Sequence, residues 1–193
     1  DLDIRGAGNL LGAEQSGFIM DMGYETYQKI LTEAMEELGM ETGQAIETRT
    51  NSFAVDCTIE TDQPAMIPDE YMDITAEKIR IYKQLDSMNS EKEIDRLHKQ
   101  LEDRFGKTPA AVDNLFNIVK IRNIGSALGF EKIIIKNGMF ILFFITNQMS
   151  PYYKSKQFSK VLERVAADQR FAFKQSEGKL KLITRGIDST SAA

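Results

Sequence analysis

Cysteine and histidine occur once each in 193 residues, and proline only four times. The single cysteine, Cys57, has no partner for an internal disulfide, so no disulfide framework is available. Zinc sites built from His and Cys need about four ligands, and a Cys–His dyad needs both groups side by side. Here Cys57 lies in the alternating, strand-like run Phe53-Ala54-Val55-Asp56-Cys57-Thr58-Ile59, and His98 in the charged stretch Arg96-Leu97-His98-Lys99. Cys57 reads as a small buried apolar residue, and His98 as a solvated helix position. No G-x-S-x-G or H-E-x-x-H motif occurs, and the many carboxylates single out no catalytic pair. The longest apolar run, Met139 to Ile145, is too short to span a bilayer. The expectation is a cytoplasmic, non-catalytic chain with no cofactor, metal or membrane of its own.

Glycine, by contrast, is concentrated at the start. Asp1 to Gly17 hold Gly6, Gly8, Gly12 and Gly17 around a Leu10-Leu11 pair, with Arg5 and Gln15 as long polar groups able to grip a neighbour. The spacing G-x-G-x-x-x-G misses the dinucleotide fingerprint, and no Lys-Ser or Lys-Thr follows as a Walker A loop requires. Nucleotide binding by this segment is therefore not expected. Asp1 stands in mid-motif without a methionine, so the chain reads as part of something longer.

Charge is divided unevenly. Residues 1–106 carry 10 basic and 23 acidic groups, while residues 107–193 carry 14 basic and 6 acidic. The acidic half suits a basic protein surface. In the basic half, Lys154, Lys156, Lys160 and Arg164 fall close together, as the solvated face of a helix or as a patch for nucleic acid.

Periodicity and punctuation give the elements. Tyr24, Tyr27, Ile30, Leu31, Ala34 and Leu38 predict a helix that Gly39 ends, followed by a connector over 39–52 and a strand over 53–61. Gln63-Pro64 and Ile67-Pro68-Asp69 break regular structure. Ile74, Ile81, Leu85 and Met88 mark a helix, and Ser90 with Glu93 forms a capping box for the next. That helix buries Ile94, Leu97 and Leu101 and stops at Phe105-Gly106. Thr108 caps a further helix with Pro109 in its first turn. Its stripe of Val112, Leu115, Phe116 and Val119 is widened by Ile118 and Ile121, which predicts burial on more than one side. Asn137-Gly138 predicts a hairpin of 131–136 with 139–145. Ser150-Pro151 starts a last helix with Phe158, Val161, Leu162 and Val165 inward, and a second hairpin turns at Glu177-Gly178. Helices come first and hairpins late, so the fold class is α+β. The expected divisions are 1–23, a glycine-rich loop; 24–44, a connecting helix and linker; and 45–193, an α+β domain.

The run Ile4-Arg5-Gly6-Ala7-Gly8-Asn9-Leu10-Leu11-Gly12-Ala13-Glu14-Gln15-Ser16-Gly17 resembles the end of the translocation motif shared by bacterial transcription-repair coupling factors and RecG-type helicases. Phe18 to Leu38, Ile67-Pro68-Asp69, Ile81-Tyr82-Lys83 and Asp103-Arg104-Phe105-Gly106 then stand in the order of the coupling factors' C-terminal domain, which RecG-type helicases lack. The resemblance implies that the parent protein is an ATP-dependent, superfamily 2 helicase-like translocase on double-stranded DNA, using ATP and magnesium and displacing stalled RNA polymerase. It implies that Arg5, Gly6, Gly8, Gly12 and Gln15 relay closure of the motor lobe to movement along the duplex. It also implies that residues 45–193 form a regulatory, autoinhibitory domain that masks the UvrA-binding surface of a UvrB-like module in the same polypeptide. In the family, acids just before the Arg-Phe-Gly step contribute to that contact. Asp103 matches one, Glu102 is adjacent, and Gln100 stands where a second acid is expected. Read without the family, Asp103 is a solvated helix-end residue sooner than a contact residue. The alternative is a nucleic-acid-binding accessory domain of a RecG-type helicase that uses the basic C-terminal half.

Overall fold

Ser90 and Gly106 bracket fifteen residues whose apolar positions recur every three or four, and those residues are a helix, Glu91–Phe105. The computed structural model describes residues 56–176 and 178–186. The glycine-rich lead, the expected helix at 24–38, residues 53–55 of the expected strand, Glu177 and the tail after Gly186 lie outside the described residues. What is described falls into two compact units, one of residues 65–115 and one of residues 56–64 with 116–186.

In the first unit, α1 (Thr75–Ser87) and α2 (Glu91–Phe105) form an antiparallel pair joined by three residues. Helix α1 buries Lys78, Ile81, Tyr82 and Leu85, and α2 buries Ile94, Leu97 and Leu101. Ile74, expected on the buried face, is instead 54% exposed, because it is the extended residue that precedes the helix. Across the pair, Arg104 of α2 donates to Glu77 of α1 at 2.5 Å, and Arg80 donates to the same carboxylate at 2.8 Å. The Pro68 turn is tied down where Tyr82 Oη accepts from the Ile67 N–H at 3.0 Å. The capping box expected at Ser90 does not form. Its side chain makes no cap bond, and the first turn closes through its backbone carbonyl, which accepts from Glu93 and Ile94.

Lys78 is 4% exposed and its ammonium pairs with Asp69. Removing one partner of a buried pair leaves an unpaired charge, which costs more than replacing the cation by an apolar side chain. Asp69→Ala should therefore destabilise by about 1–3 kcal/mol, between the ranges for exposed and fully buried pairs because Asp69 is partly solvated. Lys78→Met should cost clearly less, and urea unfolding of both variants checks the order.

Helix α3 (Ala110–Leu128) begins in the first unit and continues into the second. Val112, Leu115, Phe116, Ile118, Val119, Ile121 and Arg122 are all buried, so burial on more than one side is observed. The second unit holds a five-stranded sheet in the order β1-β2-β3-β5-β4, built from β1 (Thr58–Thr61), β2 (Phe130–Lys136), β3 (Met139–Phe144), β4 (Ala172–Ser176) and β5 (Lys179–Arg185). Strand β1 runs parallel to β2 and every other pair is antiparallel. Its ladder with β2 starts at Thr58, and Asp56 and Cys57, expected within the strand, stand outside it. The Asn137-Gly138 turn has positive φ at both residues, 53° and 67°, as a two-residue hairpin needs.

One face of this sheet, with Ile59, Ile133, Ile135, Phe140, Leu142, Phe144 and Leu182, is buried. Gly125 of α3 lies against Ile133 and Cys57, leaving no room for a Cβ. Cys57 is buried, as expected. The expected single helix after Pro151 is two pieces, a 3-10 turn (Pro151–Lys154) and α4 (Lys156–Ala167). Ser155 makes the break, donating to the Tyr152 carbonyl at 2.6 Å and accepting from the Phe158 N–H at 3.2 Å. Leu162, expected inward, is 38% exposed, and the inward contacts run through Phe158 and Val161. Among the described residues, four α-helices and a mixed five-stranded sheet make an α+β fold.

Candidate functional site

Consecutive residues on a helix point about 100° apart, so Glu102 and Asp103 cannot share a direction. With Ile94, Leu97 and Leu101 facing inward, Asp103 faces solvent and makes no hydrogen bond or ion pair among the described residues. Glu102 turns instead toward the following loop, where its carboxylate lies 3.4 Å from Thr108 Oγ1 and 3.9 Å from His98 Nδ1.

His98 is the centre of this group and is not a solvated position. It is partly buried, with Nε2 2.8 Å from Asp113 Oδ1. A carboxylate only accepts, so Nε2 is the donor there. Thr108 donates to the same Asp113 oxygen at 2.6 Å. One hydroxyl has one proton, and the shorter bond to Asp113 takes it in preference to Glu102. This also explains why Thr108 does not cap α3 as expected, since its hydroxyl is directed at side chains. A histidine, an acid and a hydroxyl are together, yet the hydroxyl gives its proton to the acid rather than to the histidine. The arrangement latches a loop and offers no activated nucleophile.

The rest of the Asp103-Arg104-Phe105-Gly106 step is structural. Arg104 bonds Glu77 and lies 4.9 Å from the Phe105 ring centroid. Phe105 packs on Tyr71, whose hydroxyl donates to the Gly106 carbonyl at 3.0 Å. Burial raises the Tyr71 pKa, with the Glu102 and Asp113 carboxylates adding to it. Gly106 has a φ of 85°, which a non-glycine residue resists, and so ends α2. The structure thus leaves Asp103 alone outward on an anchored helix end. The roles of Tyr71, Thr108 and Asp113 carried no motif in the sequence. The spacing of His98 and Glu102, i and i+4, was the one legible hint.

Arg5, Gly6, Gly8, Gly12 and Gln15 lie outside the described residues. Lys154, Lys156, Lys160 and Arg164 are all exposed, on the 3-10 turn and along α4. An open groove of about 400 Å³ between α1 and α2, walled in part by Gln84, Met88, Arg96 and Gln100, gathers no catalytic cluster. Among the described residues, no three His, Cys, Asp or Glu side chains group to hold a metal, and no helix is long and apolar enough to cross a membrane.

The family model described as the TRCF domain matches residues 61–155, which include the whole latch and Asp103. The transcription-repair-coupling factor of Haemophilus influenzae is 33% identical over 187 residues, 94% of this chain and 16% of that protein. That of Bacillus subtilis is 38% identical over 122 residues, 63% of this chain and 10% of that protein. The chain therefore spans a small part of the relatives it matches. A crystal structure of the C-terminal domain of transcription-repair coupling factor shares the fold, with a TM-score of 0.59 at 17% identity over 69% of this chain and 81% of that one. By sequence over most of its length and by the family model over its central part, the chain belongs to the transcription-repair coupling factor family.

Proposed function

We propose that residues 45–193 act as the autoinhibitory domain of a transcription-repair coupling factor, covering the UvrA-binding surface of the UvrB-like module in the same polypeptide. The observation that carries this reading is Asp103, an exposed carboxylate with no partner among the described residues, on a helix end held by the His98–Thr108–Asp113 latch. Such a group is presented rigidly to a basic surface while its neighbours are spent internally. Glu102 stands beside it, held toward the latch. In the same reading, residues 1–23 complete the translocation motif and 24–44 connect the two parts. Arg5 and Gln15 grip the motor lobe around Gly6, Gly8 and Gly12. An arginine fork and a glutamine amide suit a stiff relay, since one holds by paired bonds and the other donates and accepts. ATP, magnesium, double-stranded DNA and RNA polymerase belong to the motor upstream, and the whole works in the cytoplasm on DNA repair.

A masking contact within one polypeptide can be individually weak, because the tether supplies a high effective concentration. Reversing one contact charge costs on the order of 1–2 kcal/mol where the contact excludes water, and 1.4 kcal/mol is about tenfold in the open fraction. We expect UvrA to bind the intact protein least, Asp103→Arg about tenfold better, and a truncation ending near Gly39 best. Binding measured by calorimetry or surface capture checks the order. A truncation that binds UvrA no better than the intact protein would overturn masking. The nucleic-acid reading, which the exposed lysines of α4 keep in play, would then take its place.

A further inference from the structure

The sheet of the second unit has two faces, and among the described residues its helices pack on one of them. Gly125 of α3 sits on Ile133, and Phe158 of α4 packs edge-on against Phe144 at 5.6 Å, both on the buried face. The register defines the opposite face. Ile134, Ile141 and Ile183 lie side by side across β2, β3 and β5, with Glu60 on one flank and Ala172 on the other. The next row is Lys132, Phe143, Lys181 and Lys174. Beyond the isoleucines on the other side, Lys136 is paired with Met139. Ile134, Ile141, Ile183, Met139 and Phe143 are each only half-buried.

The charge on this face is one-sided. Glu60 is engaged by Lys132 and Lys136, which hold its carboxyl below the usual carboxylate range. Asp62, just past β1, accepts from the Asn137 N–H at 2.7 Å. Lys174 and Lys181 have no acidic partner among the described residues, and the Lys181 ammonium rests 5.7 Å from the Phe143 ring centroid. An apolar row is thus flanked by lysines with charge to spare.

We propose that this face docks an acidic amphipathic helix of a partner protein. Strands stand about 4.8 Å apart, so three isoleucines in a row span roughly 10 Å, the width of one helix. A helix laying its apolar stripe there would bring flanking glutamates or aspartates onto Lys174 and Lys181. Single-stranded nucleic acid fits less well, because bases need flat aromatic platforms and the face has one aromatic ring already beneath a lysine.

The test is a fluorescence-anisotropy titration of the 193-residue chain. The probe is a labelled synthetic helical peptide with leucines on one face and glutamates beside them. A scrambled peptide, a version with lysine for glutamate and an oligothymidylate are the comparators. The helical acidic peptide should bind, and the lysine version and the scrambled peptide should not. The double variant Lys174→Glu/Lys181→Glu, which breaks no ion pair among the described residues, should bind about tenfold more weakly, as expected for two rim charge pairs. Ile141→Thr, compatible with a strand, should weaken binding independently, and circular dichroism should find both variants folded. No binding of the acidic helix, equal binding of the scrambled peptide, or indifference to both variants would overturn the proposal. Tighter binding of oligothymidylate, lost in the double variant, would assign the face to nucleic acid instead.

Discussion

Replacing Gly129 with alanine should destabilise the chain by about 3–6 kcal/mol, far more than a typical surface substitution does. Two independent costs combine. Gly129 has a φ of 85°, where a side chain loses roughly 1–2 kcal/mol. A Cβ there would also fall 2.7 Å from Cδ2 of Tyr152 and closer still to Cε2. The ring cannot easily step aside. Its hydroxyl donates to the Leu128 carbonyl at 2.7 Å, and its faces and edges meet Phe144, Tyr153 and Phe158 with centroids at 6.3, 5.3 and 5.3 Å. Moving it loses a hydrogen bond of about 1 kcal/mol and overpacks the aromatic cluster by roughly 1–3 more. A natural domain has only about 5–15 kcal/mol to lose. Urea denaturation of Gly129→Ala against the parent chain measures the difference. A change under about 1 kcal/mol would mean that the ring yields, and that Tyr152 is not the rigid post the geometry makes it.

The residues at this junction show what a sequence can and cannot declare. Gly129 follows a helical pattern and reads only as a stop, because its partner Tyr152 is far along the chain. The same holds for the latch. Phe105-Gly106 and Pro109 announced the ends of two helices, but nothing local told that His98, Thr108 and Asp113 would converge between them. The elements themselves were legible wherever pattern and punctuation agreed. Ile94, Leu97 and Leu101 with Gly106, or Asn137-Gly138 between alternating strands, allow one reading each. Where two local signals competed, the expectation went wrong. Ser155 looked like an ordinary residue inside a helix begun by Pro151, yet its hydroxyl closes one turn and opens the next. The parallel pairing of β1 with β2 was not legible at all, since 68 residues separate Thr61 from Phe130 and turn chemistry specifies only neighbouring strands. The candidate contact was legible as an acid before Arg104. That Asp103 faces out while Glu102 turns to the latch required the helix phase to be known.

Cys57 should be nearly inert in the folded chain. It is 2% exposed beneath Gly125, where an added Cβ would come within 2.8 Å of the sulfur. Burial pushes its thiol up to about 12, against a smaller opposing pull from Arg122. The thiolate is the reactive form, so at pH 8 its fraction is lower by about a thousandfold than in an unfolded chain. Labelling by a chromogenic disulfide should then be at least about a thousandfold slower in buffer than in urea. The pH dependence follows in sign. The folded thiol holds its proton where the unfolded one has lost it, so the unfolded state binds fewer protons between about pH 9 and 12. Stability should therefore be undiminished by this group below pH 9 and fall as pH rises through that window, by up to about 1.4 kcal/mol per unit. Tyr152 and Tyr82, whose pKa values burial also raises, push in the same direction at higher pH. Because labelling near neutral pH must wait for opening, its rate should track the open population. Gly129→Ala should accelerate it by the factor its stability loss dictates, about a hundredfold or more for 3 kcal/mol. Native labelling within about tenfold of the urea rate would show that the thiol is reachable without opening, and that α3 does not seal Cys57 as the packing at Gly125 requires.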